Sequence, residues 1–278
     1  MRQLCFTRAF VHPFVTGVTF AAALTAVSAQ APKTAAPAPK AAAPAAKPSA
    51  QADAKLPSAR EIIDRHIREV GGRAAILAHS SAHIVGTASM PAAGLSGKME
   101  IFHAKPNKFL QRLSFPGIGE IEEGFDGKVG WTTSALTGPI LFDGKQLEER
   151  AFDAEFYDEL KTAERYTSIT TLEKTMFEDR PVYKVRLVKK TGGEDVEFYD
   201  VETGLKAGGQ ATRESPMGPM QGTTVYSDYR KFGLLRQPST MKMTTLNVQM
   251  VMSIAALEYD NVDPAVFTPP PQIKALIK

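Results

Sequence analysis

The sequence predicts an α+β fold: one strongly curved antiparallel sheet, an unclosed half-barrel of about 11–12 strands, with a helical lid on its concave face. Three observations predict it. From residue 82 onward apolar side chains recur with period two, in short runs separated by tight Gly, Pro, Asn and Asp turns. Within those runs one face is apolar and the other wet: Leu95, Met99 and Ile101 share a face, with Lys98 and Glu100 opposite. That pattern belongs to antiparallel sheets with one covered side. Helical spacing occurs in only two places, before the first strand and in mid-chain, so there is no βαβ alternation.

The opening residues read as a secretory signal peptide. Arg2 and Arg8 form a positive region, 14–27 an apolar run, and Val27-Ser28-Ala29 a small-residue cleavage pattern, with the cut expected after Ala29. The apolar run is short of the ~20 residues that span a bilayer, so a soluble, exported, periplasmic protein is expected. The one cysteine, Cys5, would leave with residues 1–29, taking disulfide and thiolate metal chemistry with it. Residues 30–56 are almost wholly Ala, Pro and Lys and read as a flexible, semi-extended linker. The folded domain is expected over 57–278. The net charge is +3; the leader arginines and the linker lysines account for more than all of it, which leaves the domain slightly acidic. No electrostatic case for nucleic acid remains.

The domain opens on a capping box, Ser58 with Glu61, before a helix carrying Ile63, Ile67 and Val70 on one face and stopped by Gly71-Gly72. A further helical turn is expected over 73–77. Strands are then expected near 82–90, 95–103, 108–115, 119–125 and 128–133. Asp126-Gly127 is the sharpest turn signal, and as the central pair of a two-residue turn it predicts a hairpin. It would set Phe125 and the only tryptophan, Trp131, against one apolar hollow. Asp143 and Asp153 can each cap a helix, and Phe152, Phe156 and Leu160 follow at four-residue spacing. With Leu147 they form the expected lid. Seven more strands are expected near 168–177, 181–189, 195–200, 204–213, 223–231, 240–246 and 249–259.

Several of these motifs together resemble one known group. Gly124-Phe125-Asp126-Gly127 with Val129-Gly130-Trp131 looks like that group's central hairpin, and Phe198 to Leu205 (FYDVETGL) like its strand–turn–strand signature. The run Tyr226 to Gly233 (YSDYRKFG), the strand entry Gln237-Pro238 and the ending Phe267-Thr268-Pro269-Pro270 fit as well. The group is the bacterial outer-membrane lipoprotein-sorting proteins, with the fold of the periplasmic lipoprotein carriers LolA and LolB. The resemblance covers about 57–270. It implies an apolar cavity that receives acyl chains, with no catalysis and no cofactor.

The residues agree in what they lack: no HExxH, no GxSxG and no phosphate-binding glycine loop is present. His79 and His83 straddle a loop and a strand start, where four-residue spacing does not converge on a metal. His66 and His103 read as surface or boundary histidines, and Glu120 with Glu122 as the solvated side of a strand. Methionine is the informative residue. Met217, Met220, Met241, Met243, Met250 and Met252 crowd the last third, with Met241/Met243 and Met250/Met252 as same-face pairs on neighbouring strands. They can be plain core, a deformable wall for acyl chains, or a thioether copper(I) site, although no histidine lies near them in sequence.

Strand alternation selects Met99, Ile101, Leu113, Phe125, Trp131, Val225, Met241, Met243, Met250, Met252 and Ile254 as candidate ligand-lining residues. No catalytic or metal-ligating residue is assigned. The expectation is a monomeric, non-enzymatic carrier or binder of lipid acyl chains or lipoprotein, with a membrane or envelope protein as a further partner. The alternative is an envelope scaffold or stress-sensing module with no transported ligand.

Overall fold

The computed structural model describes residues 55–215 and 218–277. The expected leader with Cys5, the linker as far as Ala54, and Met217 lie outside the described residues. One antiparallel sheet of thirteen strands carries the fold. The first six are β1 (Ser81–Met90), β2 (Leu95–Ala104), β3 (Lys108–Phe115), β4 (Gly119–Phe125), β5 (Gly130–Ser134) and β6 (Gly138–Leu141). The rest are β7 (Tyr166–Phe177), β8 (Arg180–Lys189), β9 (Glu194–Asp200), β10 (Lys206–Ser215), β11 (Gly218–Phe232), β12 (Leu235–Thr245) and β13 (Val248–Tyr259).

The spatial order is β6-β5-β4-β3-β2-β1-β13-β12-β11-β10-β9-β8-β7. The chain therefore runs outward from β1 to one free edge, crosses to the other, and returns until β13 pairs with β1. Residues 142–165 make that crossing, from β6 to β7. The sheet holds one strand more than the sequence indicates. The extra one is β6, whose four residues are too short to show a period and whose Pro139 is tolerated because the strand is an edge.

Helix α1 (Ala59–Glu69) starts as expected. Glu61 donates its backbone N–H to the Ser58 hydroxyl (3.3 Å), and the Glu61 carboxylate accepts from the Ser58 N–H (2.8 Å). Its apolar side, Ala59, Ile62 and Ile63, packs on Val185, Leu187 and Tyr199 of β8 and β9. Gly71 ends it at φ 131°, where a Cβ would stand 2.8 Å from the Leu234 carbonyl oxygen. Glycine meets both demands. Helix α2 (Gly72–Ile76) follows, and Val70 and Ile76 close on Leu205 and Leu235.

The main core sits on the concave face, where β1–β4 and β11–β13 meet Ala154, Phe156 and Tyr157 of the crossing segment. A smaller cluster on the convex face joins Leu110 and Trp131 to Phe267 and Ile273. The latter two come from the C-terminal segment, a 3-10 turn and the short helix α5 (Pro271–Lys274).

The crossing segment departs from its prediction. Helix α3 (Gly144–Asp153) forms, but 154–165 is not one helix. It is a 3-10 turn (Asp158–Lys161) and a single helical turn, α4 (Thr162–Arg165). Tertiary partners override the local pattern: Phe156 donates its backbone N–H to the Pro106 carbonyl (2.9 Å) rather than along a helix. Phe152, Phe156 and Leu160 consequently serve three surfaces. Phe152 stacks edge-on to Tyr166, Phe156 enters the main core, and Leu160 packs on the Val70 cluster.

The central hairpin also differs in detail. Asp126 donates its N–H to the Val129 carbonyl, and the Asp126 carboxylate accepts from the N–H groups of Lys128 and Val129. The central pair of the turn is thus Gly127-Lys128, with Gly127 at φ 107°.

Candidate functional site

The concave face is built by pleat alternation, shifted once by a bulge where Val85-Gly86 of β1 meets β13. Gly86, Met99, Leu113 and Ile121 stand in one cross-strand row from β1 to β4. Ala88, Met252, Met241 and Tyr226 form another from β1 through β13 and β12 to β11. Met243 pairs with Met250. The two methionine pairs proposed as same-face neighbours are directly opposed across β12 and β13. Met99, Ile101, Leu113, Phe125, Met241, Met250, Met252 and Ile254 are all buried in this cluster, and the half-buried Met243 packs against it.

Two of the candidate lining residues are elsewhere. Trp131 opposes Gly124 and lies on the convex face, whereas Phe125 opposes Gly130 on the concave one. The reason is parity: an even-numbered hairpin loop places odd positions of one strand beside even positions of the next, so 125 and 131 cannot share a face. Val225 opposes Lys242, while Tyr226 opposes Met241 and takes the concave place. Both residues are buried, so alternation could not choose between them.

Helix α3 lies over the concave strip and is clamped to both of its walls. Leu147 and Ala151 pack on the core. Arg150, with 1% of its surface exposed, pairs with Glu123 of β4 at 2.7 Å, its guanidinium 4.5 Å from the Phe109 ring centre. On the facing wall Arg213 of β10 holds Asp153 with two hydrogen bonds, Nε to Oδ2 at 2.8 Å and Nη2 to Oδ1 at 2.9 Å. Arg213 also donates to Asp195 (2.9 Å). At the start of the helix Lys145 pairs with Glu214 at 2.9 Å.

Burial by itself would raise the Asp153 carboxyl, but Arg213 and Arg150 outweigh it and hold the group below the usual carboxylate range. The folded state therefore favours the ionised form. Its stabilising contribution is complete above about pH 4 and is lost only as pH falls through the depressed value. The stability difference between wild type and Asp153→Asn should accordingly stay constant from pH 7 to pH 5 and shrink only below about pH 4. Urea unfolding of both proteins across that range measures it.

Beside the apolar patch that β8 and β9 present to α1, the β9–β10 part of the concave face carries a polar network. Lys206 reaches Glu197 at 2.7 Å and Glu159 at 3.7 Å, and the Tyr199 hydroxyl donates to Glu197. Burial opposes the Lys206 ammonium, yet Glu197, Tyr199 and Glu159 push its pKa well above the ordinary lysine value. His66 Nδ1 accepts from the Lys206 backbone N–H (3.2 Å), so Nε2 carries the proton and donates to Glu159 (2.9 Å).

His66 and His103 are thus fully buried rather than at the surface. His103 Nε2 faces the Ala154 carbonyl at 2.9 Å and fixes the end of α3. Glu122 is buried as well, accepting from Trp131 Nε1 (3.0 Å) and Arg112 (2.9 Å) on the convex face. His79 and His83 diverge, the first to Asp260 and the second to Glu100. Among the described residues, no three His, Cys, Asp or Glu side chains are grouped to hold a metal ion. Among the same residues, no helix is long and apolar enough to cross a membrane. The α3 clamp escaped the sequence reading because its partners lie far apart in the chain. Its one local trace is a pair of charges, Arg150 and Asp153, beside an apolar stripe.

No protein-family model matches the sequence, and no curated protein matches it. Solved structures do. A DUF1329 family protein from Desulfovibrio piger superposes with a TM-score of 0.53 at 12% identity, over 76% of this chain and 97% of its own. A LolA superfamily protein from Nitrosomonas europaea follows at 0.49 and 11%, over 77% and 99%. An outer membrane lipoprotein-sorting protein domain from Vibrio parahaemolyticus gives 0.49 and 12%, over 76% and 97%. At such identity the first of these establishes a shared fold, and the expected half-barrel with helices is that fold.

Proposed function

We propose that this chain is a non-enzymatic periplasmic carrier or binder of lipid acyl chains or lipidated protein, exported by its leader and spaced by its linker. The acyl chain would lie between the concave strip and α3. One observation carries this reading: an unbroken apolar strip rich in methionine runs under a helix that is held to its two walls largely by ion pairs. Ion pairs can be exchanged for water as the helix lifts, and unbranched thioether side chains adapt to guests of varied shape.

The test is binding of a fluorescent fatty acid to Met243→Asp and to Met252→Asp. Met243 is half-buried and accepts the change more easily; Met252 is fully buried, so circular dichroism must first show that its variant is folded. Affinity should fall at least about tenfold in each folded variant. Wild-type affinity in both would remove this strip as the binding site.

A second reading, an envelope protein-interaction, scaffold or stress-sensing module, draws support from a different observation. Phe156 already fills the strip, and the neighbouring concave wall is occupied by the Lys206 network. Native mass spectrometry of protein taken from its own periplasm separates the two, since an acyl-bearing adduct belongs only to the carrier.

A further inference from the structure

We propose that one end of the half-barrel is an apolar docking face for a lipid bilayer, through which an acyl chain reaches the concave strip. This deepens the carrier reading and rests on it. In a meander the hairpin turns fall alternately at the two ends of the sheet. At one end the four adjoining turns 91–94, 116–118, 135–137 and 246–247, which join β1 to β2, β3 to β4, β5 to β6 and β12 to β13, contain no charged residue. At the opposite end, turns 105–107, 126–129, 178–179 and 201–205 carry Lys105, Asp126, Lys128, Glu178, Asp179 and Glu202, and only the two-residue turn Gly233-Leu234 is without charge. Both ends meet the same solvent, so solubility alone does not account for the difference. Lys190 of the β8–β9 turn shares the uncharged end but stands beyond β10 and β11 from the four turns.

The uncharged end displays large side chains: Leu136 is 68% exposed, Leu246 66% and Val248 53%. The charged end exposes Leu234 to 64% and Met176 to 62%, so what sets the first end apart is apolar surface without neighbouring charge. Leu246 sits at φ 49°, in the left-handed region that asparagine or glycine enters at less cost. A leucine there accepts backbone strain and gains no packing within the fold. Behind the tips the half-buried Leu95, Ile118 and Met243 continue into the core at Met90, Phe115 and Met250. Apolar surface thus runs from the rim to the concave strip.

The geometry points to a bilayer rather than a peptide. The exposed residues stand on separate projecting turns, not in a groove or along a free strand edge, and supply no charge to fix a partner's register. A fluid apolar surface needs none. The absence of cationic residues further assigns binding to lipid that need not be anionic.

The experiment is co-sedimentation of the purified secreted protein with vesicles of phosphatidylcholine alone. The double variant Leu136→Ser/Leu246→Asn should lose about tenfold or more in vesicle partitioning. Its melting temperature should hold or rise, because asparagine suits the left-handed position. Leu234→Asn, an equally exposed leucine at the charged end, should partition as wild type. The proposal is overturned if wild type ignores these vesicles, if it binds only when anionic lipid is added, or if the double variant binds undiminished. The carrier reading fails on a separate measurement, uptake of the fatty-acid probe from solution without vesicles. A double variant that takes up probe yet ignores vesicles supports the docking face.

Discussion

Replacing Arg150 with methionine while Glu123 stays in place should cost about 3–5 kcal/mol of stability, the range found when one member of a buried pair is removed. The guanidinium is almost wholly enclosed between Glu123 and the Phe109 ring, so water reaches it only when α3 lifts and not while the helix is seated. Removing it leaves the Glu123 carboxylate buried without that cation. The double variant Arg150→Met/Glu123→Leu should recover most of the loss, because the desolvation cost then disappears with both charges. Urea midpoints of the two variants and wild type close that comparison. The same substitution bears on the lid, since Arg150 ties α3 to β4 while Asp153 ties it to β10. With one tie cut, the fatty-acid probe should bind faster in the folded fraction than to wild type. A folded Arg150→Met protein with wild-type stability would mean that the pair does not hold the helix.

Much of the fold follows from short-range chemistry, and short-range chemistry is legible in a sequence. The Ser58–Glu61 box needs four residues to state itself, and the strands and their turns need about ten each. The opposed methionines of β12 and β13 follow from one tight turn, Leu246-Asn247, and the two-residue period on either side of it. What could not be read is whatever depends on a distant partner. Phe152, Phe156 and Leu160 have helical spacing, but Pro106, Tyr166 and Val70 draw them apart. Glu122 stands in a run of acids that looks solvated, until Trp131 and Arg112 arrive from the neighbouring strands. His66 looks like a surface residue of a charged helix, until Glu159 reaches it from 93 positions away. The charged part of the concave face, on β9 and β10, was invisible for the same reason: Lys206, Glu197 and Arg213 alternate like ordinary solvent-facing strand residues. Their inward orientation is set by which face the helices cover.

The single tryptophan supplies the most local test of the sheet. Gly124 directly opposes Trp131 across β4 and β5, and the indole lies over it. A Cβ at Gly124 would overlap the ring at Cζ2 and Cε2, and even Cη2 would be 2.7 Å away. The ring has nowhere to go: it is fully buried, enclosed by Leu110, Phe267 and Ile273, with its N–H committed to Glu122. Gly124 is not among the residues with positive φ, so the backbone itself would accept alanine and the conflict is one of volume alone. Gly124→Ala should therefore destabilise by about 3 kcal/mol, the upper part of the range for overpacking, and shift Trp131 emission to the red as the ring is forced outward. Pairing it with Trp131→Phe should restore part of that stability, because the shorter ring lacks the atoms the new methyl strikes while Glu122 loses the indole N–H. If Gly124→Ala unfolds at the wild-type urea concentration with unshifted emission, the β4–β5 register is not the one described. Phe125 and Trp131 would then have no reason to face opposite sides of the sheet.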